Sequence, residues 1–352
     1  GSSAGSVACT CNAGYSSGME SGNLVCTVCP AGKYSESPGM PGEEYCYGCP
    51  PGTYSAVLGA GGPWFCLSCP FGKYSEEEGA VDISTCVTCP PGTYSDVSPI
   101  ESVNDCKFCP LGTYLPNSGG ASIDDCILCI AGKYSETPKA ETEIDCKFCA
   151  AGTYSNGTAA TSSSTCLQCP WGTYSETLGA YSLSLCLLCP AGKYSPNPGA
   201  DTFGACQNCR AGTYSISWGA WSSAICVECR AGTYSPLEGA DNETACQLCP
   251  AGTYSESPGR ATLDDCILCT AGKYSSYLGA SSISWCLNCW AGTYSIYPGA
   301  NSPLTCVNCP MGYFSDLLGR SELSDCSACP RGKWSEIERA PTRLRITVIA
   351  WQ

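Results

Sequence analysis

The residues with the most chemistry in this 352-residue chain are its 34 cysteines. They fall mainly in Cys-x-x-Cys pairs that begin at Cys26, Cys46 and Cys66 and continue to Cys326, sixteen copies set twenty residues apart without one insertion or deletion. Thiols at this spacing can close structural disulfides. They can also hold zinc, since two successive pairs, Cys26, Cys29, Cys46 and Cys49, have the spacing of a four-cysteine site. Or they can act as redox dithiols, which needs a thiol pKa lowered at a helix N-terminus. Redox chemistry fits least, because Pro and a Gly turn usually follow the second Cys where a helix would have to start. Tetrathiolate zinc sites would pair repeats two by two, giving alternating linkers or ligand contexts, whereas the period is uniform. Disulfides are favoured on compartment and spacing. Cysteine at this density marks an oxidising environment, and twenty residues cannot bury a core without covalent staples.

Other chemistry is sparse. The chain has no His, so the commonest general base and the Ser-His-Asp and Cys-His constellations are missing, and no enzyme, cofactor or metal site is expected. Asp124-Asp125 and Asp264-Asp265 sit at corresponding places just before a cysteine. They read as solvated turn residues, because no Asp/Asn-Gly loop of the kind that cradles calcium surrounds them. A net charge of −14 with no basic face argues against a nucleic-acid partner, and no apolar run is long enough to span a bilayer. The chain opens Gly1-Ser2-Ser3-Ala4-Gly5 without a secretory signal, so it reads as a mature or cut-down chain. Two N-glycosylation acceptors, Asn156-Gly-Thr158 and Asn242-Glu-Thr244, fit secretion. Trp218-Gly-Ala-Trp221 matches the W-x-x-W pattern of tryptophan mannosylation.

The elements that position these cysteines follow from the rest of the repeat, C-x-x-C-P-x-G-[TK]-Y-S-x-x-x-G-A. A Gly follows the second Cys by three in every copy, Gly32 to Gly332, and predicts a tight turn that tolerates no Cβ. An aromatic stands two residues later, Tyr34 to Tyr294 and then Phe314 and Trp334, and is expected to build a spine of rings packed on the adjacent disulfide and on each other. Ser follows in all copies but one, Leu115, and its hydroxyl is expected to cap turn backbone. A second Gly gives way to Pro99, Lys139, Ala159 and Arg339, which marks a more forgiving turn. Segments of four to six residues between Gly and Pro suit short strands or coil and show no helical period. The expected fold is small, disulfide-rich, mainly β and coil: an elongated solenoid of 20-residue repeats with little or no helix, a rod of roughly 160 Å at ladder spacing. Residues 1–25, with Cys9-Thr-Cys11 in place of a pair, form a degenerate N-terminal capping repeat; 26–335 are the array; 336–352 are a non-repeat tail. In that tail Ile346 stands where a Cys is due, and Leu344 to Trp351 alternates as a β-strand would.

The combined Cys, Gly and Tyr spacing over residues 26–335 resembles the ephrin-receptor-like cysteine-rich repeat and, more distantly, the cysteine-rich modules of tumour-necrosis-factor receptors. The resemblance implies an extended extracellular ladder in which the second Cys of one pair bonds the first Cys of the next. Carried over here, it joins Cys11 to Cys26, Cys29 to Cys46, Cys49 to Cys66, Cys69 to Cys86, Cys89 to Cys106, Cys109 to Cys126, Cys129 to Cys146 and Cys149 to Cys166. It continues with Cys169 to Cys186, Cys189 to Cys206, Cys209 to Cys226, Cys229 to Cys246, Cys249 to Cys266, Cys269 to Cys286, Cys289 to Cys306 and Cys309 to Cys326. A loop of this size contributes about 3 kcal/mol through the unfolded state. Cys9 and Cys329 are left over. Either they are ends of a truncated array or Cys329 of one molecule bridges Cys9 of the next, with the Leu344 to Trp351 strand added to the neighbour's edge.

The expected function is an extracellular structural protein, a stapled rod that assembles into or decorates a fibre, surface appendage or coat, with head-to-tail or lateral self-association and attached glycans. A ligand-binding receptor or adhesin ectodomain is the alternative, but no repeat carries the odd loop that usually makes a binding site. Trp64, Trp171, Trp218, Trp221, Trp285 and Trp290 fall at variable positions and are read as singly exposed rings.

Overall fold

The computed structural model describes residues 10–331 and, as backbone, the short strands Lys333–Trp334 and Thr347–Val348. By its contacts the chain divides into two units, residues 1–167 with 177–185 and residues 168–176 with 186–352. The same repeat builds both.

In each repeat the residues after the second Cys form a turn whose third residue needs positive φ, and Gly supplies it: Gly32 has φ 84° and Lys33 N–H donates to the Pro30 carbonyl at 3.1 Å. Two strand residues follow. Lys33–Tyr34 pairs antiparallel with Tyr47–Gly48 (Lys33 opposite Gly48, Tyr34 opposite Tyr47), and Cys49 N–H closes the hairpin on the Gly32 carbonyl at 2.8 Å. The Cys29–Cys46 disulfide, with a Cα–Cα separation of 5.7 Å, ties the same hairpin covalently. A two-residue ladder would not hold by itself, so the bridge substitutes for strand length.

Successive repeats join through backbone at fixed offsets. In the first unit Gly32 N–H donates to Ser55 O, Ser35 N–H to Ala60 O and Gly59 N–H to Cys29 O. In the second unit Gly192 N–H donates to Ser215 O, Ser195 N–H to Ala220 O and Gly219 N–H to Cys189 O, all within 2.9 Å. The tyrosine backbone thus lies between two neighbours, antiparallel to the strand at +13 and parallel to the residue at +26, as in Tyr34 with Ala60 and Tyr194 with Ala220. The interior is sulfur and small residues: Cys29, Cys49, Ala60, Ala80, Ser35 and Thr93 are buried.

Among the described residues sixteen disulfides close, in the order Cys11–Cys26, Cys29–Cys46 and onward to Cys309–Cys326. These cysteines are consumed as bridges, which removes the zinc and dithiol readings for them. The fold is mainly β and coil, with one regular addition. A three-residue 3-10 turn precedes the first Cys of each pair from Cys46 to Cys326, and many are N-capped by Ser, Thr, Asp or Asn. At Ile123–Asp125 the Ser122 hydroxyl accepts from Asp124 N–H at 3.0 Å while the Asp125 carboxylate accepts from Ser122 N–H at 3.0 Å, a reciprocal capping box.

The N-terminal unit differs from the repeats. Its strands, β1 (Tyr15–Glu20) and β2 (Asn23–Val28), are six residues each and pair antiparallel around Ser21-Gly22. It docks by the same device, Gly14 N–H donating to Ser35 O at 2.9 Å.

Candidate interaction surface

With sulfur inside, the apolar side chains are left outside. In most repeats both strand residues before the second Cys of a pair are exposed, for example Leu187 and Leu188, Ile267 and Leu268, Ile127 and Leu128. So are the residues at the start of the 3-10 turn (Ile83, Leu183, Ile283) and those just before the second Gly (Leu58, Leu178, Leu278). Each unit therefore carries apolar residues recurring every twenty residues on its surface, the reverse of a globular domain's arrangement.

Two glycines per repeat show what makes this surface regular. At Gly192, with φ 80°, a Cβ would overlap the carbonyl of Gly239, two repeats on. That position accepts only glycine on both counts. The second Gly is a saddle instead. Leu188 lies over Gly219, Leu248 over Gly279 and Leu268 over Gly299, each side chain 2.7–2.8 Å from where a Cβ would sit. Replacement is tolerated there: Lys139 and Ala159 hold φ of 59° and 55°, and Pro99 follows a cis peptide bond.

Polar groups are used locally. The repeat Ser is buried, and in several copies its hydroxyl serves turn backbone two residues on, as in Ser95 Oγ to Val97 O at 2.9 Å, whereas the hydroxyls of Ser175, Ser235, Ser275 and Ser295 are buried without a partner among the described residues. Where Leu115 replaces it, the side chain is buried against Tyr94, Cys109 and Cys126. Thr at the strand start donates back to the turn carbonyl, Thr53 Oγ1 to Pro50 O at 2.6 Å. Asp265, of the second expected acidic pair, holds a capping box: the Thr262 backbone amide, above all, and the Thr262 hydroxyl keep its carboxyl below the ordinary range. Asp145 is lowered in the same way by Thr142. Ion pairs act in the same direction on carboxylates: Lys107 lowers Asp96 and is raised by it, and Lys133 lowers Glu143. Among the described residues no group of three or more Cys, Asp or Glu is placed to hold a metal ion. The hollows are shallow, about 550 Å³ beside Tyr194, Arg210 and Glu228 and about 410 Å³ beside Tyr34, Met40 and Tyr47.

One recurring contact escapes a repeat-by-repeat reading. Glu76, Glu136, Glu176 and Glu256 follow the repeat Ser and accept from the first amide of the 3-10 turn 27 residues on, at Val103, Ser163, Phe203 and Ile283 (2.9–3.4 Å). Glu36 occupies the same place, but its counterpart is Pro63, which has no N–H. The signal in the sequence is a Glu at that position in several copies; the partner is set by the fold.

The expected tyrosine spine is only half present. Tyr74 packs against the Cys89–Cys106 bridge and Tyr94 against Cys109 and Cys126. Among the described residues no ring pair joins one repeat tyrosine to the next; Tyr34 meets Tyr47 at 6.2 Å and Tyr174 meets Phe203 at 5.6 Å. These two rings turn instead to the facing strand of their own hairpin, at Tyr47, and to the 3-10 turn of the following repeat, at Phe203.

Asn156 is exposed in its loop, and Asn242 is exposed as the cap of Glu243–Ala245, its Oδ1 accepting from Thr244 N–H at 2.9 Å. All six expected tryptophans are exposed; Trp64 lies against Phe65 and Trp285 against Tyr277. Cys329 is unbridged and half-buried against Phe314, and Cys9 lies outside the described residues. The bridge between them thus has only one described member. Of the tail strand, Thr347–Val348 pairs with Lys333–Trp334 of its own chain, in the register of every other repeat. For that stretch, pairing within the chain replaces the expected addition to a neighbour; the rest of Leu344 to Trp351 lies outside the described residues.

A family model described as tyrosine-protein kinase ephrin type A/B receptor-like matches residues 40–86, 82–126 and 222–265. No curated protein gives a significant match to the chain. No helix among the described residues is long and apolar enough to cross a membrane.

Proposed function

We propose that this array of ephrin-receptor-like cysteine-rich repeats is an extracellular structural element, a stapled rod that works by length, stiffness and contact along its sides. The observation that carries the reading is constancy. The same three backbone bonds recur at offsets of 23, 25 and 30 residues in both units, and no repeat carries an enlarged loop. A protein selected for one binding site usually concentrates variation there; this one spreads it over the exposed positions of every repeat. The sulfur chemistry belongs to an oxidising compartment, and N-glycans at Asn156 and Asn242 are part of the same reading.

The exposed apolar positions fit lateral self-association, because two copies share one period and their rows come into register along the whole length. The alternative, a receptor-type ligand-binding ectodomain, draws on the ephrin-receptor-like match. Negative-stain microscopy with sedimentation of the secreted, oxidised chain separates them. Rods that bundle or join as concentration rises are expected; compact particles, or chains that stay monomeric at every concentration, would overturn the structural reading and favour the receptor one.

A further inference from the structure

Trp218 and Trp221 are the one pair among the eight tryptophans spaced by three residues. The fold gives that spacing a definite geometry. Between them Gly219 is pinned by its N–H to Cys189 O at 2.8 Å with φ 70°, and Ala220 is buried with its carbonyl accepting from Ser195 N–H at 2.9 Å. The two intervening residues are thus fixed to the array, and the indoles flank them in solvent, 65% and 59% exposed. Neither ring has an aromatic partner among the described residues, unlike Trp64 and Trp285.

The array supplies its own controls. The same two positions hold Pro198 and Asp201 one repeat earlier and Glu238 and Asp241 one repeat later, on the same backbone pattern. Nothing in the packing asks for large rings here. Two adjacent indoles add the largest apolar rings to a surface already rich in exposed apolar side chains, and a sugar on one of them would cover part of that area.

We propose that Trp218 is a C-glycosylation acceptor, its indole C2 taking one mannose from a polyprenyl-phosphate-linked mannose donor, with Trp221 as the recognition residue. The indole C2 attacks the anomeric carbon and a C–C bond forms. The anomeric C–O bond to phosphate breaks, the lipid phosphate leaves with the bonding pair, and C2 loses its proton as the ring regains aromaticity. No oxidant or reductant is needed. The modification rests on passage through the secretory route, as the proposed function does.

The test is tandem mass spectrometry of the full chain secreted from animal cells, cleaved with trypsin first without and then with reduction. Cleavage after Arg210 and Arg230 isolates residues 211–230 with both tryptophans. The expected result is one hexose on Trp218 that fragments across its ring and does not leave whole, and its loss in the exposed-site variant Trp221→Ala. A secreted, disulfide-bonded chain bare at Trp218 overturns this inference and leaves the extracellular reading standing. A hexose that leaves whole from Ser217 or Ser222 overturns it too, as does equal modification in Trp221→Ala. Retention in the cell with free thiols overturns both readings.

Discussion

The two units follow one plan and depart from it differently. Unit 1 holds 17 of the chain's 31 acidic residues and 6 of its 17 basic ones, so most of the excess negative charge is there. It also holds the backbone exceptions: the cis Ser98–Pro99 bond, Lys139 and Ala159 in the left-handed region, and Leu115 for the buried Ser. In unit 2 the described second-Gly positions all keep Gly, and the exceptions are side chains set at the buried Ala position, Arg260 and Arg320, each paired with the Asp five residues on. The difference separates what the array requires from what it tolerates. Bridges, the first Gly and the inter-repeat backbone bonds recur in both units, whereas the second Gly, the Ser and the Ala are each replaced somewhere with a local compensation.

The largest expected effect is on the bridges. Full reduction should abolish the fold, since each bridge closes a loop worth about 3 kcal/mol and the larger apolar clusters among the described residues are themselves built on bridge cysteines. Graded reduction sharpens the contrast between units. Cys89–Cys106 is buried under Ile100 and Tyr74, whereas Cys226 of the Cys209–Cys226 bridge is partly exposed. Limiting reductant followed by alkylation and peptide mapping should label Cys226 before Cys106; the reverse order would refute the protective role of that apolar cluster.

Next come the glycines. Gly192→Ala forces a Cβ into backbone two repeats away at positive φ, and should cost about 3 kcal/mol or more. Gly199→Ala meets only the flexible Gln168 side chain, at 3.3 Å, and should cost about 1 kcal/mol. Hydrogen exchange at the neighbouring hairpin amides reads both. Equal protection loss in the two variants would dissolve the distinction between required and tolerated turns.

How much of this was legible depends on how far along the chain each cause lies. The turn at Gly32 is local and its residue types state it, but the reason it can never change is the Gly79 carbonyl, 47 residues away. The ladder order of the bridges came with the resemblance to known repeats, not with spacing alone. The Ser122-x-x-Asp125 capping box was open to reading in the sequence; a search for 3.6-residue periodicity passes over a turn only three residues long. The ring-to-ring half of the tyrosine spine is missing among the described residues because equal spacing in sequence does not by itself bring side chains into contact. The Glu256 cap on Ile283 was out of reach for the same reason: its offset of 27 residues belongs to the fold and not to the repeat.

A smaller effect with a fixed sign comes from reversing the exceptions of unit 1. Ala159→Gly relieves roughly 1–2 kcal/mol of left-handed backbone cost, more than the roughly 0.5–1 kcal/mol of unfolded-chain freedom that Gly adds. The variant should be stabilised by about 0.5–1 kcal/mol, opposite in sign to Gly199→Ala in unit 2. A destabilised Ala159→Gly in thermal melts would mean that the Ala methyl group contributes packing that its backbone position hides.

The smallest expected effect is common to both units. Asp145 in unit 1 and Asp265 in unit 2 close the same capping box, and in both the carboxyl is held below its ordinary value of 3.8, chiefly by the backbone amide of the capping Thr. A lowered pKa in the folded state means that the contribution is complete above the ordinary carboxylate value and is lost as pH falls below it, through the lowered folded value. From pH 7 to pH 5 neither turn should change. Further acidification should weaken protection of the Cys146 and Cys266 amides, which close these 3-10 turns on Glu143 and Leu263. Asp145→Asn and Asp265→Asn should remove that acid dependence, with little other change because both groups are only half-buried and the amide oxygen can still accept from the capping backbone. Hydrogen exchange at those two amides across the acid range is the measurement. Acid sensitivity that survives in Asp265→Asn but disappears in Asp145→Asn would show that the excess negative charge of unit 1 matters to its turns in a way the matched geometry does not reveal.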